Sequence, residues 1–183
     1  MMQKPLKFTL LLFFFTAIGC TKTDSIDFSK QKVLFEKEYI NFAWGYTHMG
    51  WYIDSIGSIY YYNKPQSWNT VDSTNNIKFE SINSNLFNCK KLAYTIDKSE
   101  LSTKIAQMSN AAKGTLSEPV MEMADAGLNK YCEFVYDSTA KRYKRIMLKQ
   151  TGDLRIDNSS PESVSLWQWM NTIEAKVNEE ITK

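Results

Sequence analysis

Residues 50–63, GWYIDSIGSIYYYN, are the strongest local indication of the fold. Apolar and aromatic residues lie on both sides of residues 54–57, DSIG, where Gly57 can adopt the positive φ angle that a tight turn requires. The pattern therefore predicts two antiparallel strands joined by a short turn.

More strands are predicted on either side of this hairpin. Residues 38–46, EYINFAWGY, continue the aromatic and apolar pattern, whereas residues 63–76 have the composition of a long loop. Residues 130–137 and 142–150 flank a polar turn and are predicted to form a second hairpin.

Helices are predicted between and after the hairpins. Asp97 has Glu100 three residues on, as in a capping box, and Gly114 ends the apolar periodicity that follows. Ser160 and Pro161 mark the start of a C-terminal helix. Two shorter helices are predicted near 81–92 and from Ser117 to Gly127.

Strands grouped in hairpins, with helices between and after them, favour one fold class. We expect a single α+β domain over residues 33–183, in which an antiparallel sheet built from hairpins has helices packed on one face.

The first twenty residues have the features of an export signal. Lys4 and Lys7 precede an uncharged run, residues 8–18, which is shorter than the roughly 20 apolar residues that span a bilayer. The run ends at residues 17–20, Ala-Ile-Gly-Cys, which resemble the lipobox of bacterial lipoproteins. An ordinary secretory signal, with Cys20 a bystander, is the alternative.

The lipobox resemblance implies a location and a partner. Residues 1–19 would be removed, Cys20 would carry a diacylglyceryl group, and two or three acyl chains would hold the protein stably in a membrane. The polar residues 20–32 would form a flexible tether. The resemblance thus implies a Gram-negative envelope protein, on the periplasmic or cell-surface side of the outer membrane.

The charge balance argues against a nucleic-acid partner. Without Lys4 and Lys7 the chain has 20 basic and 20 acidic residues, so its net charge is near zero. Residues 141–149, KRYKRIMLK, form a local basic stretch that we interpret as a solvated hairpin.

No catalytic, metal or cofactor site can be identified from the sequence. His48 is the only histidine, and the sequence contains neither a nucleophile elbow nor a phosphate-binding or dinucleotide-binding glycine motif. We interpret His48 as structural, and we predict no cofactor and no catalytic residue.

Two cysteines remain in the mature chain, Cys89 and Cys132. A disulfide between them would close a loop of about 43 residues, for which the chain-entropy model gives about 4 kcal/mol. Two free buried thiols are the alternative, and the sequence does not decide between them.

Aromatic residues are concentrated between 42 and 68, where nine occur. Such rings can stack on a sugar or a peptide. The candidate ligand surface consists of Trp44, Trp51, Tyr60, Tyr62 and Trp68. The alternative is that these rings belong to the core or form cross-strand pairs.

These features favour a non-catalytic binding or interaction module with a glycan or protein partner. One alternative is an envelope hydrolase acting on glycan or peptide, which would need two convergent carboxylates or His48 beside a hydroxyl. Another is a purely structural envelope component, which would lack a sizeable pocket.

Overall fold

The computed structural model describes residues 31–183, which form a mostly antiparallel nine-stranded sheet and three helices. The predicted α+β class is confirmed. The predicted signal, the lipobox with Cys20 and most of the tether lie outside the described residues.

The strands are two to eleven residues long, and all eight pairings between them are antiparallel. Their bounds are β1 Val33–Asn41, β2 Thr47–Asp54, β3 Ser58–Asn63, β4 Asn76–Lys78, β5 Lys90–Thr95, β6 Val120–Met121, β7 Leu128–Asp137, β8 Arg142–Gly152 and β9 Leu154–Asp157. The helices are α1 Phe79–Phe87, α2 Lys98–Ala111 and α3 Pro161–Ile181. The strand order is β5-β3-β2-β1-β7-β8-β9-β6, with β4 paired to β8.

The hairpin at residues 50–63 forms as predicted, from β2 and β3. The Asp54 carboxylate accepts hydrogen bonds from the backbone N–H groups of Ile56, at 3.0 Å, and Ser58, at 2.8 Å. Gly57 has a φ of 87°, which a residue with a Cβ adopts only with strain. The hairpin at residues 130–150 is also confirmed, as β7 and β8.

Helices α2 and α3 pack on one face of the sheet, which we call the helix face. The buried side chains of α3 form one apolar stripe, which consists of Leu166, Trp169, Met170, Ile173 and Val177. They contact Phe35, Trp51 and Ile53 of the sheet within one hydrophobic cluster. Each such buried side chain contributes about 1.5–3 kcal/mol by leaving water.

Both predicted helix starts for α2 and α3 are confirmed, with one difference in detail. The Asp97 side chain accepts from the backbone N–H groups of Ser99 and Glu100, and that of Ser160 accepts from Glu162. The Glu100 carboxylate, however, does not return to the N-cap as a capping box requires. It accepts from the Trp169 indole N–H at 2.6 Å and joins α2 to α3.

The opposite face of the sheet, which we call the outer face, has its own core. Tyr52, Tyr62, Phe134 and Tyr143 are buried there against Ile82 of α1. Helix α1 and the loop 64–75 cover only part of this face. The polar cavity described below is bordered by the sheet and by residues 68–71 of this loop.

The prediction of a short helix from Ser117 to Gly127 is wrong. This segment runs along β9, because Ser117 N–H donates to the Asp157 carbonyl and Glu122 N–H donates to the Asp153 carbonyl. Asp125 and Gly127 have φ angles of 64° and 73°, which an α-helix does not allow. Pairing with a neighbouring strand therefore outweighs the local helix signal.

Among residues 31–183, none of the helices combines the length and the apolar character that crossing a bilayer requires.

Candidate functional site

Five ionisable side chains meet on the outer face of the sheet and form what we call the ionic cluster. They are Glu36, Glu38, His48, Lys130 and Arg145. Glu36 and Glu38 are two residues apart in β1 and therefore project from the same face. Strands β2, β7 and β8 supply the other three, so four neighbouring strands build the cluster.

Arg145 links the two carboxylates of the ionic cluster. Its Nη1 atom donates to Glu36 Oε2 at 3.1 Å and to Glu38 Oε2 at 3.2 Å. Lys130 Nζ donates to Glu38 Oε2 at 3.3 Å, and His48 Nε2 lies 3.1 Å from Glu38 Oε1. The side chains of Glu36, Glu38 and Arg145 are only 2%, 5% and 12% exposed. Such charges are stable inside a protein only when they are paired.

The two carboxylates have different proton affinities. Burial raises the pKa of Glu36, and the charge of Arg145 offsets this only in part. Burial would also raise the pKa of Glu38, but the hydrogen bond with His48 and the charges of Arg145 and Lys130 together lower it to about 2. Glu38 is therefore ionised at neutral pH, while Glu36 binds a proton more readily than an ordinary glutamate.

A cavity of about 220 Å³ opens beside the ionic cluster. Glu36, Glu38, Lys130 and Arg145 form its polar wall, and the loop residues 68–71 lie across it. Ile40, Ile77 and Phe134 supply apolar lining. A second cavity of about 700 Å³ also has residues 68–71 in its lining, so this loop segment borders both spaces.

Trp68 fixes that loop to the sheet. Its ring is stacked on Tyr52, with centroids 5.8 Å apart and planes at 9°, and lies 4.1 Å from the Tyr62 ring and 5.5 Å from the His48 ring. Gly50 leaves room for Tyr62, because a Cβ there would come within 2.6 Å of the Tyr62 hydroxyl oxygen. The indole thus forms a fixed aromatic wall beside the ionic cluster.

The five aromatic residues predicted as a ligand surface do not lie on one exposed surface. Trp51 is 2% exposed on the helix face, and Tyr62 is 2% exposed in the outer-face core. Tyr60 is half-buried in that core, and Trp44 is 84% exposed at the turn between β1 and β2. Of the five, Trp68 lines the cavity.

Sequence reasoning missed the ionic cluster, and its interpretation of the basic hairpin was wrong for Arg145. His48 lies in β2, and the Arg145 side chain is only 12% exposed and paired with carboxylates, so it is not solvated. A signal was present in β1, where the three consecutive charges Glu36, Lys37 and Glu38 interrupt a run of apolar and aromatic residues from 33 to 40. Lys37 projects to the helix face, where its Nζ atom forms an ion pair with Glu174 Oε1 at 2.7 Å. Both faces of this strand therefore carry buried charge.

Cys89 and Cys132 are free thiols in the structure, so the disulfide is not formed. The Cys89 thiol donates to the Asn85 carbonyl at 3.2 Å, and Cys132 is completely buried in β7. Burial raises the pKa of both thiols to about 12, which makes them poor nucleophiles. Within residues 31–183, no group of three or more His, Cys, Asp or Glu side chains is arranged to hold a metal ion.

Comparison of the chain with protein-family models, with curated proteins and with solved structures finds no match.

Proposed function

We propose that this chain is a lipid-anchored envelope protein that binds a neutral sugar, or one sugar unit of a glycan, without catalysing a reaction. The observation that carries the proposal is the cavity whose lining combines two carboxylates, two cations and Trp68. The anchor at Cys20 would present this site from the surface of the membrane.

The balance of charge in the cavity favours a neutral ligand. Glu36 and Glu38 are matched by Lys130 and Arg145, so the site has no large excess of one sign to attract an ion. Arg145 and Lys130 have N–H groups beyond those that bond the glutamates, and the carboxylates can accept further hydrogen bonds.

A sugar fits this mixture of groups. Each hydroxyl both donates and accepts, so it can bond to a carboxylate and to a guanidinium or ammonium group at once. The less polar face of a sugar ring can pack on an aromatic side chain, which Trp68 provides beside the polar wall. Ligand sites commonly combine an apolar wall with a few convergent polar groups in this way.

The envelope hydrolase is a second candidate, because two carboxylates with separated proton affinities can serve as acid and base. Burial raises the pKa of Glu36, whereas the cations and His48 lower the pKa of Glu38 to about 2. We favour binding because one atom, Arg145 Nη1, bonds both carboxylates. That atom lies where the glycosidic bond of a substrate would have to be. The cavity itself argues against a purely structural role.

Binding can be tested on the full mature lipoprotein, purified from membranes in a detergent that contains no sugar. N-acetylglucosamine, glucose and short oligosaccharides would be titrated by calorimetry and by tryptophan fluorescence. We expect saturable binding that Trp68→Ala weakens at least roughly ten-fold, because the aromatic wall is lost. Lys130→Met should also weaken binding, because a donor to the ligand is lost.

Trp44→Ala is the matched control, because it removes an exposed tryptophan that does not line the cavity. It should leave sugar binding unchanged. The proposal is wrong if no carbohydrate binds, or if Trp44→Ala and Trp68→Ala weaken binding equally. Release of new reducing ends from the oligosaccharides, lost in Glu36→Gln, would instead support the hydrolase.

A further inference from the structure

Three exposed aromatic side chains lie at the turn between β1 and β2, and we call them the aromatic tip. Phe42, Trp44 and Tyr46 are 73%, 84% and 51% exposed. The strands on either side are well buried, so this exposure is confined to the turn. A cluster of large aromatic rings exposed to solvent commonly marks an interaction site, whereas single exposed apolar residues do not.

The turn that carries the aromatic tip is held in place by hydrogen bonds. The Asn41 side chain accepts from Ala43 N–H at 2.8 Å and donates to the Asp125 carbonyl at 3.0 Å. Gly45 has a φ of 96°, and the Phe42 and Tyr46 rings lie 5.4 Å apart. A fixed turn loses little conformational entropy on binding, which favours affinity.

We propose that the aromatic tip inserts into a concave, apolar pocket of another protein of the envelope. Tryptophan and tyrosine are the side chains that most often dominate the energy of a protein interface, and they act by filling pockets in the partner. The envelope location depends on the proposed function. The role of the tip does not depend on the sugar site, because Phe42, Trp44 and Tyr46 do not line that cavity.

A second copy of this chain does not suit the tip as an occupant. Three aromatic side chains cover roughly 500 Å², and a stable interface buries about 800 Å² on each partner. Two convex turns meeting end to end therefore bury too little surface. A pocket that surrounds the rings also covers the turn backbone, so it buries more surface than two turns meeting end to end.

The anchoring bilayer does not suit the tip either. The N-terminal segment leads into the start of β1, and the aromatic tip follows the end of this nine-residue strand. The length of the strand separates the two points by roughly 27 Å. Residues 39–48 and 120–129, which lie at this end of the sheet, contain no Lys or Arg. Binding to anionic headgroups needs several basic residues that are free to pair with them. Of the basic residues next to this end, Arg155 pairs with Glu122 at 2.6 Å and Lys130 pairs with Glu38 at 3.3 Å.

The test places the photo-crosslinking residue p-benzoylphenylalanine at position 44 of the full chain, expressed in Gram-negative cells. Position 87, where Phe87 is 91% exposed on α1, is the matched control. We expect one discrete protein adduct from position 44 and none from position 87. The crosslinked protein is then purified and its affinity for the full chain is measured.

We expect Trp44→Ala to weaken that affinity roughly 30-fold, as loss of a hot-spot residue does. Phe87→Ala should not change it, and neither variant should change the melting temperature, since both side chains are exposed. The inference is overturned by an adduct with a second copy of this chain, or by an affinity that does not depend on Trp44. It is also overturned by Trp44-dependent binding to phosphatidylethanolamine and phosphatidylglycerol vesicles, or by the absence of an adduct.

Discussion

Glu133 in β7 has a completely buried carboxyl group with no hydrogen-bond partner for either oxygen among the described residues. Its cross-strand neighbours are Phe35 and Ile146, so no charge pairs with it through the sheet register. Burial raises its pKa to about 9. The carboxyl group is therefore neutral at pH 7, and folding keeps a proton that the unfolded chain would release.

This proton makes the free energy of unfolding depend on pH. Because the folded pKa is raised, the stabilisation is fully present below the unfolded value of 4.5 and is lost as pH rises towards about 9. Relative to Glu133→Gln, the wild-type protein should lose on the order of 1 kcal/mol for each pH unit between pH 5 and pH 8. Urea unfolding of both proteins across this range measures the difference.

Glu118→Gln is the control for the Glu133 experiment, because Glu118 is exposed. The free energy of unfolding of this variant should change with pH in the same way as that of the wild-type protein. If the free energy of unfolding of Glu133→Gln also changes with pH in the same way as that of the wild-type protein, Glu133 is ionised in the folded protein and the prediction is wrong.

Individual residues were predicted well where the cause is local. Gly57, Asp97 and Ser160 act within four residues of themselves, so the sequence contains the whole explanation of their roles. Arg145 was misjudged because its partners, Glu36 and Glu38, are more than a hundred residues away along the chain. Only the sheet register brings them together.

At the scale of elements, the edge strand β5 is closed by a side chain from α3. The Glu180 carboxylate accepts hydrogen bonds from the backbone N–H groups of Ala93 and Tyr94, the latter at 2.9 Å. These bonds lower the pKa of Glu180. Exposed edge N–H groups are what a further strand would pair with, so this carboxylate blocks edge-to-edge association.

Removing this carboxylate should open the edge. In Glu180→Ala, the amide hydrogens of Ala93 and Tyr94 should exchange with solvent several-fold faster, because their acceptor is lost. Amide exchange followed by NMR measures this directly. Glu179→Ala is the matched control, since Glu179 pairs with Lys183 at 3.3 Å and not with β5. Equal exchange rates in all three proteins would contradict the proposed closure.

The long elements were predictable and the short ones were not. Helices α2 and α3 have N-caps and apolar stripes, which are properties of continuous segments. Strand β6 has only two residues and forms because β9 lies beside it. Its own composition, with Pro119 before it, suggests a helix start instead, and this explains the wrong prediction for residues 117–127.

At the scale of the whole molecule, the order of the strands could not be read from the sequence. Hairpins predict which strands are neighbours along the chain, and β2–β3 and β7–β8 follow that rule. The pairing of β1 with β7 joins segments about ninety residues apart, and it is this pairing that brings Glu38 opposite Lys130. The cavity was missed for the same reason, because its walls come from five strands and a loop.

The proposed anchor is tested on the whole protein. In a Gram-negative host, we expect the mature protein to lack residues 1–19 and to carry a diacylglyceryl group on Cys20, as measured by intact-mass spectrometry of the membrane fraction. Cys20→Ser should lack the lipid and leave the membrane fraction, because a single acyl chain or none does not hold a protein stably. An unmodified thiol at Cys20 in the wild-type protein would refute the anchor.

β1 is the strand into which residues 1–30 lead, and it also lies in the interior of the sheet between β2 and β7. A mechanical pull on the N-terminal segment therefore acts along a strand that is bonded on both sides. The hydrogen bonds that join β1 to β2 and to β7 are then loaded together, along the strand direction. In an edge strand pulled away from its sheet, by contrast, the hydrogen bonds break one after another. A domain tethered by this end can resist tension between a membrane and whatever holds its far side.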